Sequence, residues 1–338
     1  MALIAKPEGP LNPYERMGVP NMEVPSFRQL LAKERGTTEN ILIISPYALG
    51  DCVCSEPAIR YAIEAFKGCK ISIATHYPEL FSHLQIEKFY VRDEKPDFDK
   101  YNVYECYHSA ESLQSEYVHN FNMAIEDYIA TSLFKGQIPV ADRDIRCRGE
   151  MPRFPPGFQN KVIIHPGKSW LSKSFPKEWW DQVIQGIAVS GVTPILIGAV
   201  IDNGKRGTVD VDTKGCQDLR NKLTVTESLG LLQNAEVVLT NDSAPLHMAA
   251  SGKAHIGFMS TVRHADFIKH WRKDETGENQ WGYRMRDFAR GTMWTPQDMN
   301  PITAAGKKYD VIDYATMMKW LPEPETLVQW TMQKLGGH

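Results

Sequence analysis

Ile41-Leu42-Ile43-Ile44-Ser45-Pro46-Tyr47-Ala48-Leu49-Gly50-Asp51 runs from an unbroken apolar stretch into a turn marked by proline and glycine. Four consecutive aliphatic residues without alternation read as a strand buried on both faces, the kind found in parallel sheets. Beyond the turn, Ile59, Ala62, Ile63 and Phe66 recur at helical spacing. Ile71-Ser72-Ile73-Ala74 then gives a second short strand. Strand, glycine turn, helix and strand make the βαβ unit of a parallel α/β sheet.

Working outward from this unit, residues 1–39 hold several prolines and little periodicity. They read as an irregular arm with one helix over 26–35. On the other side, weaker strands are expected at 88–91 and 102–105, and a helix over 119–134. Charges at Asp142, Arg143, Asp144, Arg146 and Arg148, with prolines at 152, 155 and 156, mark a boundary near residue 150. A second βαβ series follows. Val162-Ile163-Ile164 reads as a strand, 176–190 as a helix, and Pro194-Ile195-Leu196-Ile197 as a strand ending at Gly198. Thr224 and Glu227 form a capping-box pair ahead of Leu229, Leu231 and Leu232. Val237-Val238-Leu239 is a further strand, Asn241-Asp242-Ser243-Ala244-Pro245 a helix start, and His255 to Phe258 closes the series. Residues 262–310 are polar and aromatic without a readable period. The tail from Asp313 to Leu335 reads as helical, broken near Pro322 and Pro324.

Three strand-to-helix turns carry the chemistry. Parallel α/β sheets bind ligands at the carboxyl ends of their strands, so Asp51 is placed to face a cleft. Spacing alone reads Asp51 first as a cap for the following helix. His165-Pro166-Gly167-Lys168-Ser169-Trp170-Leu171-Ser172-Lys173 offers two hydroxyls, a glycine and two lysines, which suits a phosphate. Its glycine spacing is not that of a Walker loop, and a solvated loop with ordinary lysines is an equal reading. Asn241 to His247 opens a helix with small residues and proline, so its amides and dipole suit a diphosphate. Simple N-capping by Asp242 or Ser243 explains the same residues, and His247 by itself reads as a packed histidine.

The order of these stretches resembles the family 9 glycosyltransferases, the lipopolysaccharide heptosyltransferases among them. The matching segments are Ile41 to Asp51, Ile164-His165-Pro166-Gly167 with Lys173-Ser174-Phe175-Pro176, Leu223 to Leu229, and Asn241 to Ala250. Together they span roughly residues 40–260 in family order. The resemblance implies a GT-B fold, two facing Rossmann-like domains with parallel sheets. It implies an inverting, metal-independent transfer from a nucleotide-diphospho-sugar, ADP-heptose in the closest case, to a hydroxyl of a glycan acceptor. Asp51 then matches the catalytic base. Donor contacts carry over to Gly167, Ser169, Lys173, Gly198, Asp242, Ser243, Ala244 and His247. Asp202 is the nearest acid after the Gly198 strand for the donor ribose. No metal ligands and no cofactor beyond the nucleotide-sugar co-substrate are expected. The chain divides into an arm over 1–39, an acceptor domain over 40–150, a nucleotide-sugar domain over 151–310, and a helix over 311–338 packing back on the first domain. Ala244 stands where the family usually has glycine. The stretch with Arg263, Lys269, Arg272, Lys273, Arg284, Arg286 and Arg290 has no family counterpart.

Composition sets the outer limits. At 338 residues the chain is long enough for two cores. A net charge of −3 advertises no nucleic-acid or membrane partner. No apolar run is long enough to span a bilayer, and the first thirty residues lack a signal core. Six scattered cysteines read as free thiols of a cytoplasmic protein rather than a disulfide framework or zinc site. Two rivals remain. The basic 263–290 stretch suits a transferase acting on modified bases of viral DNA, although Asp266, Asp274, Glu275, Glu278 and Asp287 dilute it. A non-catalytic sugar-nucleotide-binding protein would keep the fold without needing Asp51. Oligomeric state is not legible in the sequence.

Overall fold

The structure, a computed structural model, describes residues 40–91, 94–106, 129, 138–168, 173–200, 207–259, 270–274, 276–281, 285–287 and 321–336. The helices expected over 26–35 and 119–134 lie outside these residues, apart from Ile129.

The first half forms around β1 (Asn40–Ile44), α1 (Leu49–Ala65), β2 (Lys70–Thr75), β3 (Lys88–Val91) and β4 (Asn102–Glu105). The four strands make a parallel sheet in the order β3-β2-β1-β4. β1 lies at its centre, which is why Ile41 to Ile44 are apolar on both faces: all four are at most 1% exposed. α1 is buried from Gly50 to Arg60 with few breaks, because structure covers it on more than the sheet side.

The second half holds the larger sheet. Its elements are β5 (Val162–His165), β6 (Gly167–Lys168), α2 (Lys177–Val189), β7 (Ile195–Leu196), β8 (Gly207–Thr208), β9 (Gln217–Asp218), α3 (Val225–Gln233), β10 (Val237–Asn241), α4 (Ala244–Ala250), β11 (His255–Met259), β12 (Trp271–Lys273), β13 (Asn279–Trp281), β14 (Met285–Asp287) and α5 (Pro324–Gly336). Six strands pair in parallel in the order β14-β11-β10-β5-β7-β9. β6 pairs antiparallel with β8, and β12 with β13. The capping box at α3 forms as the sequence indicates. Thr224 Oγ1 accepts from Glu227 N at 3.2 Å, and Thr224 N donates to Glu227 Oε2 at 2.8 Å.

The halves meet through helices. α1 packs on α4, and one hydrophobic cluster runs from Ile41, Ile43 and Ile59 to Leu231, Leu246 and Ile256. Gly50 permits the approach. A Cβ there would lie 2.7 Å from His247 Cδ2 and 3.2 Å from Ala244 Cα. Gly149 and Gly230 make a second close crossing, where the linker lies against α3. A Cβ on Gly149 would fall 2.0 Å from the Gly230 nitrogen.

The last helix corrects the sequence expectation. α5 lies on α2 of the second half, not back on the first domain. Its Leu327 and Val328 join the cluster of Trp179, Trp180, Val183 and Ile187, and Trp179 Nε1 donates to Pro322 O at 2.8 Å. The reason is a matching apolar face on α2, where Gly186 leaves room for Val328. Burying each aliphatic side chain there contributes about 1.5–3 kcal/mol.

Candidate functional site

A cleft of about 470 Å³ opens at the carboxyl ends of β5, β7 and β10. Its wall includes His165, Gly167, Gly198, Asn221, Thr224, Asn241, Ser243 and Ala244, and Leu49 from the start of α1. The amino ends of α1, α3 and α4 therefore reach one space. Of the residues singled out from the sequence, Gly167, Gly198, Ser243 and Ala244 line it.

Two glycines are required by what they touch. A Cβ at Gly167 would lie 2.4 Å from Asn241 Oδ1 and 2.7 Å from His165 Cε1. Gly198 has φ +117°, and a Cβ there would meet Thr208 Cγ2 at 2.5 Å. Backbone thus comes to the cleft where any side chain would fill it.

Asn241 and His165 organise the floor, and sequence reading assigned neither a role. Asn241 Nδ2 donates to Gly167 O at 3.1 Å and to Lys173 O, so one side chain ties the β5 loop to the end of β10. Ser243 Oγ donates to Asn241 Oδ1 at 2.9 Å and lies 3.2 Å from His165 Nδ1. With its side chain so engaged, Ser243 stands at the α4 N-cap without capping any amide. Burial lowers the His165 pKa to about 4, so the imidazole is neutral near neutral pH. The quoted loop His165–Lys173 held a signal for it, namely a histidine in the last position of a buried strand.

Lys173 and Asp242 form an ion pair at 2.7 Å, with both side chains at most 10% exposed. They lie outside the cleft wall. His247 also lies outside it, its Nδ1 2.8 Å from His270 Nε2. Ser169 and Asp202 fall outside the described residues.

Asp51 occupies the first turn of α1 and is partly exposed. The N-cap of that helix is Ala48, so the capping role read from spacing is not the one Asp51 has. A carboxylate in the first turn still gains from the helix dipole. Cys52 beside it donates to Pro46 O at 2.7 Å, and burial pushes its thiol pKa up to about 12. Glu56 is fully buried and committed to structure. Its carboxylate takes Arg60 Nε at 2.8 Å, His83 Nε2 at 3.1 Å and the Arg146 amide at 2.8 Å. Tyr47, 41% exposed, stands edge-on to His76 at a centroid distance of 4.7 Å.

Two parallel α/β sheets joined through helices, with a cleft at the carboxyl edge of the larger one, make a fold of the GT-B type. Within the sequence, residues 113–263 match the model of glycosyltransferase family 9 (heptosyltransferase). Solved structures agree on the fold. The family 9 glycosyltransferase of Veillonella parvula is 14% identical, with a TM-score of 0.55, covering 88% of this chain and 99% of that one. The iron-containing dodecameric glycosyltransferase TibC of enterotoxigenic E. coli is 13% identical, with a TM-score of 0.53, covering 88% of this chain and 77% of that one. TibC in complex with ADP-D-β-D-heptose, 14% identical, matches with a TM-score of 0.52 over 88% of this chain and 77% of that one. No curated protein matches the sequence. Among the described residues no helix is long and apolar enough to cross a membrane.

Proposed function

We propose that the chain is an inverting glycosyltransferase that moves a sugar from a nucleotide-diphospho-sugar, ADP-heptose in the first instance, to a hydroxyl of a glycan acceptor. The observation that carries this reading is the cleft itself. Backbone at Gly167 and Gly198, the Ser243 hydroxyl and the start of α4 converge on one space, and Leu49 of α1, two residues before Asp51, lines it too. The second half serves the donor and the first half the acceptor, with exposed Tyr47 over His76 offering a face for a sugar ring.

In the proposed reaction Asp51 takes the proton of the acceptor hydroxyl as that oxygen attacks the anomeric carbon. The bond to the diphosphate breaks on the opposite face, which inverts the centre. Charge on the departing diphosphate meets the amides around Gly167 and Ala244, the Ser243 hydroxyl and Lys173, which exchanges Asp242 for phosphate as donor binds. Asp202 is assigned to the donor ribose and Ser169 to the phosphates. These donors suffice to hold the leaving group without a divalent ion at the diphosphate. Six free cysteines accord with a cytoplasmic location.

The test is a thermal-shift screen of nucleotide sugars followed by turnover with and without Mg²⁺. The screen should single out one nucleotide-diphospho-sugar, since a ligand at a hundredfold excess over its Kd adds about 2.7 kcal/mol. Rates should be equal whether or not Mg²⁺ is added. No shift with any nucleotide sugar, or turnover that appears only with Mg²⁺, would overturn the proposal.

A further inference from the structure

Cys54, His247 and His270 come from three separate parts of the chain and meet in the interior. Cys54 lies on α1 of the first half, His247 on α4 of the second, and His270 immediately before β12. One ligand atom from each lies within 4.8 Å of the others. Cys54 and His270 are 0% exposed and His247 3%. The two imidazoles stand nearly perpendicular, at 89°, with His247 Nδ1 and His270 Nε2 2.8 Å apart. His247 is fixed from behind, because its ring abuts Gly50 one turn before Cys54 on α1.

We propose that these three side chains form a structural site for a thiophilic divalent transition cation, zinc or iron(II), which ties α1 to α4. A thiolate and two imidazoles are donors that suit zinc and iron and do not suit Mg²⁺. For the two imidazoles the geometry needs little adjustment, while the Cys54 sulfur, within 4.8 Å, has to come to about 3.6 Å from each nitrogen. In a tetrahedral site with metal–nitrogen bonds of about 2.0–2.1 Å, two imidazole nitrogens sit about 3.3 Å apart. The pair therefore has to open by about 0.5 Å to pass from a direct hydrogen bond to shared coordination. On binding, the Cys54 thiol releases its proton to solvent, both imidazoles bind through neutral nitrogens, and a solvent molecule takes the fourth position. The ion would sit in the contact between α1 and α4, so its role is to hold the one helix against the other. This inference does not depend on which donor or acceptor the cleft takes.

Metal analysis of the full chain, purified without chelators, tests it, with Cys54→Ser and His270→Gln alongside. The wild type should carry about one zinc or iron per chain and both variants should lose it. Co²⁺ loaded into metal-free wild type should show thiolate-to-cobalt charge-transfer absorption that Cys54→Ser lacks. Zn²⁺ added to the metal-free wild type should raise its Tm and leave that of Cys54→Ser unchanged. Wild type that takes up no metal, or a Cys54→Ser variant that binds Zn²⁺ and Co²⁺ as the wild type does, would overturn the site and leave a His247–His270 hydrogen bond beside a buried thiol. If one variant fails to fold, the wild-type metal content and cobalt spectrum still decide.

Discussion

Asp51 makes the sharpest residue-scale test, because its two roles differ in what a single nitrogen changes. As a base, Asp51→Asn should cut turnover by a factor of about 10²–10⁴. Donor affinity should stay near wild type, since the proposed donor contacts lie in the other half. If Asp51 serves only the helix dipole, the substitution costs about 0.3–1 kcal/mol of stability and leaves turnover alone. Steady-state kinetics beside a melting curve separates the two. With both Glu56 oxygens committed to Arg60, His83 and Arg146, near-normal turnover would direct attention to His76 instead.

Lys173 demands a similar separation. Removing the lysine leaves the buried Asp242 carboxylate without its cation, which by itself costs about 3–5 kcal/mol. Lys173→Ala should therefore lower Tm whatever the lysine does in binding. If Lys173 also reaches the diphosphate, donor affinity of the folded variant should fall by about 1.5–3 kcal/mol. Titration calorimetry well below the variant's Tm reads this, and an unchanged Kd would confine Lys173 to structure. His165 gives a pH signature. Its pKa is lowered in the fold, so the unfolded chain binds the extra proton between about pH 6.5 and pH 4. The stability this neutral imidazole contributes is complete above about pH 6.5 and falls as pH drops toward 4, by something on the order of 3 kcal/mol. His165→Gln should flatten that part of the Tm–pH curve relative to wild type. Parallel curves would show that His165 titrates normally.

At the scale of elements, Gly230 sets two effects against each other. It lies inside α3, where alanine is the better helix former by about 1 kcal/mol. A Cβ there, however, would sit 2.4 Å from the carbonyl of Glu150, whose amide is held by Thr226 O at 3.0 Å. A backbone pinned on both sides cannot give way, and overpacking costs about 1–3 kcal/mol. Gly230→Ala should therefore destabilise by a net of up to about 2 kcal/mol, read as a lower urea midpoint with unchanged slope. A stabilised variant would mean that the linker moves freely off α3.

The elements also show how far the sequence could be read. Ile41–Ile44, Val162–Ile164 and Val237–Leu239 were legible because central parallel strands are apolar on both faces and announce themselves without alternation. The Thr224–Glu227 cap was legible because its chemistry is local. β6 and β8, of two residues each, leave no periodic trace. The partner of α5 was not legible, since an apolar helix face does not name the surface it covers. The same limit governed the site. Gly167, Ser243 and Ala244 sit on strand-to-helix turns and were read as such. The pairing of Lys173 with Asp242, and of His247 with His270, joins residues far apart in the chain that only the fold brings together.

For the whole molecule, length and two βαβ series suggest two units able to unfold separately. The packing argues otherwise. Ile41, Ile43, Cys54 and Ile59 from the first half share one buried cluster with Leu229, Leu231, Leu246 and Ile256 from the second. Parting the halves would expose these faces, at about 1.5–3 kcal/mol for each large aliphatic side chain. The linker adds to the tie, with Arg60 Nη2 donating to Asp144 O at 2.8 Å and Gln233 Nε2 donating to Cys147 O at 2.7 Å. An intermediate with one half unfolded therefore keeps the entropy of a free chain while losing the other half's cover, and should be thinly populated. Scanning calorimetry should show one transition with calorimetric and van't Hoff enthalpies in agreement, and near-ultraviolet and far-ultraviolet circular dichroism should coincide with it. Two resolved transitions would mean that the α1–α4 contact is weaker than its buried cluster implies, and that each half holds its fold alone.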